Sequence, residues 1–303
     1  MNAEILCLGE PLVEFVCLEN GLYQRSVGGD TSNAAVAAAR QGASVGYLTA
    51  LGGGRFGDSV IDYWREEGVS ADHVIRMEDA ETGLNFVEPD PEGRFFTYYR
   101  DHSAASLMRP ADLPDGALQA ARCLHLSGIT LAVSQDLRAT ALAAMEVVAS
   151  AGGTICLDTN LRLKLWDIEA ARQVTHDAMR RATIAVTSID DSSHLTGLTD
   201  PAAIAAFHHD LGPKIVLVTM GGDGCCLSVG GQTHMIPAAP ATPVDSTGAG
   251  DSFAGGFLAW WLETGDPVLA ARRAAVVAAG TVSGYGAVNS IPRREDVLRA
   301  VPG

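Results

Sequence analysis

Lysine is almost missing: the 303-residue chain has two, Lys164 and Lys214, among 21 basic residues set against 36 acidic ones. With a formal net charge of −15 and no cationic run, a general affinity for nucleic acid or for an anionic membrane is excluded, and an anionic substrate must find a local cationic pocket. No apolar stretch reaches the roughly 18 residues that a membrane span needs. Residues 1–10 carry no basic segment ahead of an apolar one, so the expectation is a cytoplasmic protein. The six cysteines show no paired metal-ligand spacing, and several lie in apolar runs, where thiols are ordinarily buried and inert. Charged residues make up only 19%, with no long single-sign or low-complexity run, which removes disorder, coiled coil and collagen-like architectures. What is present, 47% hydrophobic residues and 33 glycines, can bury a substantial core in one large or two average domains.

Short β-rich runs alternate with amphipathic segments along most of the chain. Residues 5–9, 45–51, 123–127, 154–158, 184–187 and 215–219 read as strands, and 58–67, 134–150 and 170–181 as helices. Such alternation implies an α/β fold in which crossover helices cover a mostly parallel sheet. Two stretches break it: 12–18 and 84–100 are extended, with turn signals at Asp90, Pro91 and Gly93 and no helix between. They predict a small β lid over the strand ends, where open α/β sheets keep their ligand crevice. After Gly265 the pattern is helical, over 268–283 and 293–299, and no linker divides the chain, so a single domain over 1–303 is expected.

The most informative segment is Asp245-Ser246-Thr247-Gly248-Ala249-Gly250-Asp251. Beyond it Phe253, Phe257, Leu258 and Trp261 recur at helical spacing, so a Gly-Ala-Gly turn opens directly into a helix. Its small residues leave amides unblocked at the positive end of the helix dipole, where an anion binds. A Walker loop would place a lysine where Asp251 stands. A carboxylate beside an anion hole makes sense as a base that takes a proton from an attacking hydroxyl; the plainer reading is a helix cap. In Gly28-Gly29-Asp30-Thr31-Ser32-Asn33, two glycines admit a close ligand and Asn33 offers a donor and an acceptor, as a polyhydroxylated ligand needs. The alternative is a turn with a local Asn bond. Residues 52–57 (GGGRFG) also satisfy the dinucleotide fingerprint, with Asp79 about twenty residues on, an oxidoreductase alternative weakened by their position in the second strand-helix unit.

Together the two motifs resemble the ribokinase-like sugar kinases of the PfkB family, over essentially the whole chain. The resemblance implies a three-layer α/β/α fold with a mostly parallel central sheet and a small β lid from about residues 11–27 and 82–101. It implies ATP-dependent transfer of a phosphoryl group to a primary sugar hydroxyl, with Asp251 as base and Gly248, Ala249 and Gly250 as the anion hole. Gly28, Gly29 and Asn33 fall on the sugar side. On the ATP side fall Asn160, Ser188, Thr219, Gly221 and Gly224, with Gly248 and Gly250, although Thr219 stands where the family has Lys. Ser188-Ile189-Asp190-Asp191 takes the place of Asn-x-x-Glu and assigns Asp191 to Mg2+ through water. Asp245 and Thr247 lie where relatives bind a potassium-like ion.

Tyr98-Tyr99-Arg100 ahead of Ser103-Ala104-Ala105, and Asp158-Thr159-Asn160-Leu161-Arg162 ahead of Leu165-Trp166, resemble the branch that phosphorylates 2-keto-3-deoxygluconate. That likeness puts Tyr99, Arg100 and Arg162 against the sugar, where an arginine would pair with the substrate carboxylate. Two lysines and no cation cluster disfavour a substrate that already carries a phosphate. Fructokinase and ribokinase activities stay open, as does a non-catalytic sugar-binding regulator, given Thr219 and Ser188. The lid edge, a liability unless paired, together with the resemblance, implies a homodimer through the lid.

Overall fold

The computed structural model describes residues 3–18, 20–90 and 93–302; Pro91, one of the expected turn signals, lies outside them. The strands are β1 (Ile5–Leu8), β2 (Leu12–Cys17), β3 (Tyr23–Gly28), β4 (Val45–Gly52), β5 (Val69–Ser70), β6 (Val74–Met77), β7 (Leu84–Asp90), β8 (Gly93–Tyr99), β9 (Cys123–Ser127), β10 (Thr154–Asp158), β11 (Ile184–Ser188), β12 (Ile215–Thr219), β13 (Cys225–Val229) and β14 (Gln232–Ile236). The main sheet runs β14-β13-β12-β11-β10-β9-β1-β4-β5, with β6 also paired to β4. It is parallel from β12 to β5, and β13 and β14 close one edge antiparallel.

The parallel strands read as continuous apolar runs because helices cover both faces. Alternation within one strand divides them: Ile5 and Cys7 belong to the core layer with Trp64, Phe257 and Trp260, and Leu6 and Leu8 to the layer with Leu131, Leu137 and Met145. Helices Asp30–Arg40, Ala249–Thr264 and Pro267–Val282 pack the first layer, and Gln135–Ser150 and Pro201–Leu211 the second. Their ends follow local chemistry. The Ser134 hydroxyl accepts from the Leu137 amide at 2.9 Å, and Asp200 and Asp266 cap helices whose first residue is proline.

The second sheet, β3-β2-β7-β8, is the lid. Antiparallel β2-β3 and β7-β8 pairs meet through parallel β2-β7 contacts. The helix expected from residue 58 begins at Arg55, and the β13-β14 hairpin, β5 and β6 add to the strands expected from the sequence. Among the described residues no helix is long and apolar enough to cross a membrane.

Candidate active site

The chain leaves β1 for β4 on one side and returns to β9 on the other, so the sheet order reverses between β1 and β9. A cleft of about 1690 Å3 opens there, at the carboxyl ends of the strands, roofed by the lid. Glu10 after β1, Asp158 on β10, Ser188 on β11 and Thr219 on β12 all line it. Residues 52–57 do not. The carboxylate of Glu78 fills the space beside Gly53, and a side chain at Gly52 would meet the Ala80 carbonyl at 2.5 Å, so that glycine run serves packing and the dinucleotide reading falls.

Gly248, at φ 78°, caps the Ala249–Thr264 helix, and Asp251 is its third residue. The Asp251 carboxylate bonds to side chains from elsewhere in the fold: Asn33 Nδ2 donates to Oδ2 at 2.8 Å and Asn160 Nδ2 to Oδ1 at 3.3 Å. That disposes of the helix-cap reading. Burial, reinforced by the charge of Asp30, pushes its pKa up to about 7, against the Asn33 hydrogen bond and the Arg162 charge. Gly248, Ala249 and Gly250 line the cleft beside it, at a helix end whose first amides have no intrahelical acceptor.

Around this group lies an acidic floor. Asn160, held in the left-handed region at φ 29°, also donates to Asp30 Oδ2 at 3.2 Å, and the Ser127 hydroxyl donates to the same oxygen. Burial, with repulsion from Asp251, Asp191 and Asp30, drives the Asp158 carboxyl well above the usual range. Asp191 Oδ2 accepts from Thr159 Oγ1 at 2.8 Å and from the Leu161 amide at 3.1 Å. Among the described residues no hydrogen bond reaches its other oxygen, and a hard carboxylate oxygen facing a cleft fits a water-bridged Mg2+.

The Ser188 hydroxyl lines the cleft but caps its own helix, accepting from the Asp191 amide at 3.0 Å, and Thr219 Oγ1 donates to the Thr187 carbonyl at 3.2 Å. Gly221 and Gly224 do not line the cleft; Gly224, at φ 97°, turns the chain against 236–238, where a side chain would come within 2.6 Å of the Ala238 amide nitrogen. Gly29 lines it, whereas Gly28 makes room for the Glu14 carboxyl instead of a ligand. Tyr99 is 64% exposed and absent from the lining. Strand alternation turns Arg94, Phe96, Tyr98 and Arg100 inward, so Tyr98 takes the place expected of Tyr99. Arg100 lines the cleft with its guanidinium engaged by Glu10, which also accepts from Ser103. Arg162 donates only to the Leu161 carbonyl, at 2.8 Å, among the described residues.

Asp245 does not present an open carboxylate for a monovalent ion. Its Oδ1 accepts from the Thr247 amide at 3.1 Å and hydroxyl at 2.7 Å, and its Oδ2 from the Gly286 amide at 2.9 Å. Arg94 closes on Oδ2 at 3.0 Å. Glu10, Glu14, Asp30, Arg94 and Tyr98 were missed from the sequence. The period of β8 was the signal for Arg94 and Tyr98, and Asp30 stood inside a motif already singled out.

The model of the pfkB family carbohydrate kinases matches residues 3–294. The chain is 34% identical over 313 aligned positions to the 2-dehydro-3-deoxygluconokinase of Escherichia coli K12, covering 97% of this chain and 98% of that protein. It is 31% identical to the 2-dehydro-3-deoxygluconokinase of Thermoproteus tenax, over 98% and 94% of the two chains. Among solved structures it is similar to the fructokinase with bound ATP from Xylella fastidiosa, with a TM-score of 0.91 and 27% identity over 99% and 98% of the two chains.

Proposed function

Because the chain belongs to the pfkB family of carbohydrate kinases, we propose that it transfers the γ-phosphoryl group of ATP to the primary hydroxyl of 2-keto-3-deoxygluconate, giving the 6-phosphate and ADP. The observation that carries this reading is the half-buried Asp251 carboxylate, gripped by Asn33 and Asn160 at the mouth of a helix N-terminus. Asp251 takes the hydroxyl proton as the sugar oxygen forms its bond to the γ-phosphorus and the bond to the bridging oxygen of ADP breaks. Amides of Gly248, Gly250 and Asp251 stabilise charge on the transferred group, while the Ala249 amide donates to the Ser246 carbonyl at 3.2 Å. Mg2+, when bound, would neutralise the phosphate oxygens, and Asp191 would hold it through water. Closing the lid keeps out water, a competing acceptor.

The preference for a sugar acid is supported by the cleft's cations. In a chain of net charge −15, Arg162 and Arg100 line the cleft at the sugar end, and among the described residues Arg162 spends its guanidinium on one backbone carbonyl alone. A planar fork of this kind suits a carboxylate. Coupled ADP release with Mg2+ over 2-keto-3-deoxygluconate, fructose and ribose tests this, with the highest kcat/KM expected for the keto-deoxy acid. A higher value for fructose or ribose overturns the substrate, and binding without any ADP release would make the protein a sugar-binding regulator. The lid also supports a homodimer: β3 and β8 are its outer strands, and Leu22, Tyr23, Phe95 and Tyr99 are exposed there. Light scattering at twice the chain mass is the expected result.

A further inference from the structure

Among the described residues, Asp245 is the one carboxylate of the cleft bonded both to the lid and to the anion-hole loop. Its side chain is only 5% exposed, and a charge so placed is costly without a counter-charge. Backbone and hydroxyl donors alone hold it on the protein side. The Gly286 amide ties it to 284–290, the Val244 amide donates to the Val282 carbonyl at 2.7 Å, and a side chain at Gly248 would meet the Ala287 carbonyl at 2.6 Å. Residues 244–248 and 282–290 therefore form one knit unit, and the Ala249–Thr264 helix with its anion-binding end starts from it. The unit's only ion pair from outside, among the described residues, is Arg94 on β8, whose guanidinium reaches Asp245 Oδ2 at 3.0 Å and lies 5.9 Å from the Tyr285 ring centroid.

We propose that Arg94 supplies from the lid the positive charge that Asp245 requires, so that lid closure, and not a bound monovalent ion, sets the loop leading into the anion hole. A guanidinium and an alkali ion on the same carboxylate oxygen would repel each other, and the guanidinium is tethered to the strand that must close. Opening the lid strips Asp245 of its counter-charge and loosens the loop, and closing it restores both. The anion hole is then in register only when the sugar is covered. Arg94 is a positioning residue, since it acts through Asp245 and not on the reacting atoms. The role rests on the kinase reading above and adds to it an independence of monovalent ions.

The test compares the wild-type protein with Arg94→Gln and Arg94→Lys in buffers whose only monovalent cation is tetramethylammonium, with potassium chloride then titrated in. Wild-type kcat is expected to change by less than about twofold, while Arg94→Gln loses about tenfold or more in kcat with little change in sugar KM and regains it as potassium rises. Arg94→Lys recovers most of the loss without potassium. A second reading needs no substrate: potassium, but not tetramethylammonium, raises the melting temperature of Arg94→Gln and leaves that of the wild type in place. Strong potassium activation of the wild type, an Arg94→Gln variant of normal rate, or a rate loss that potassium does not repair overturns the proposal. If no sugar is phosphorylated, the kinase reading fails instead, and the melting experiment still judges the Arg94 role.

Discussion

The floor and the lid of the cleft are built differently. Floor groups sit at the ends of buried strands and in the first turns of two helices, and they are held by other side chains: Asn33, Asn160 and Ser127 grip Asp251 and Asp30. The lid is a four-stranded sheet, with Glu14, Arg94, Tyr98 and Arg100 turned to the cleft and an aromatic cluster of Phe15, Phe86 and Tyr23 on its other face. Phe15 stacks on Phe86 at 5.0 Å and meets Phe56 of the main body edge-on at 5.9 Å. The floor thus gains precision from burial, at a cost in stability. The lid leaves much of its surface wet, with Tyr23, Phe95, Tyr98 and Tyr99 exposed, and suits recognition more than chemistry.

If that division holds, the largest effect belongs to the floor. Asp251→Asn is expected to lower kcat by about a thousandfold while sugar binding, read by calorimetry, persists. It should also stabilise the protein. The native pKa of Asp251, about 7, lies above its ordinary value of 3.8, so the folded state holds that proton more tightly, and stability falls as pH rises from 3.8 toward 7. The variant should therefore melt several degrees higher than wild type at pH 8, with the difference vanishing near pH 4. A variant less stable at pH 8 would break the claim that floor precision is costly.

A smaller effect sharpens the origin of that cost. The acid limb of kcat/KM should rise with pH through about 7 as Asp251 loses its proton. Asp30 on the Asp30–Arg40 helix and Glu14 on the lid push that value up, Arg162 pulls it down, and Asp158 and Asp191 share the floor. Asp30→Asn is expected to move the limb about one pH unit lower. An unmoved limb would assign the shift to burial alone.

The smallest effect lies in the lid. Tyr98→Phe should raise sugar KM by about tenfold, the worth of one hydrogen bond, while Tyr99→Phe leaves kinetics within about twofold. Steady-state kinetics on the two variants decide it, and equal effects would mean the strand does not sort its faces between cleft and solvent.

The six central strands and the glycine turn ahead of Asp251 were legible because apolar runs, alternation and a turn-to-helix boundary are local patterns, written in neighbouring residues. Asn33 and Asp251 could be named as site residues for the same reason. Their meeting could not, since they stand 218 positions apart. Glu10 captures Arg100 across 90 positions, a pairing that no spacing rule anticipates. Gly28 and Gly224 were read as ligand contacts because a glycine's missing side chain looks alike in sequence whether the space is for a ligand or for another part of the protein.

By itself the sequence determined which segments form strands and helices, where a helix opens on an unblocked turn, and that any anion must be met locally in an acidic chain. Tertiary structure alone decided that burial and the charge of Asp30 raise the Asp251 pKa, that Tyr98 and not Tyr99 faces the cleft, and that Arg94 lands on Asp245. Periodicity is a property of adjacent residues, whereas burial and charge pairing depend on atoms that only folding brings together.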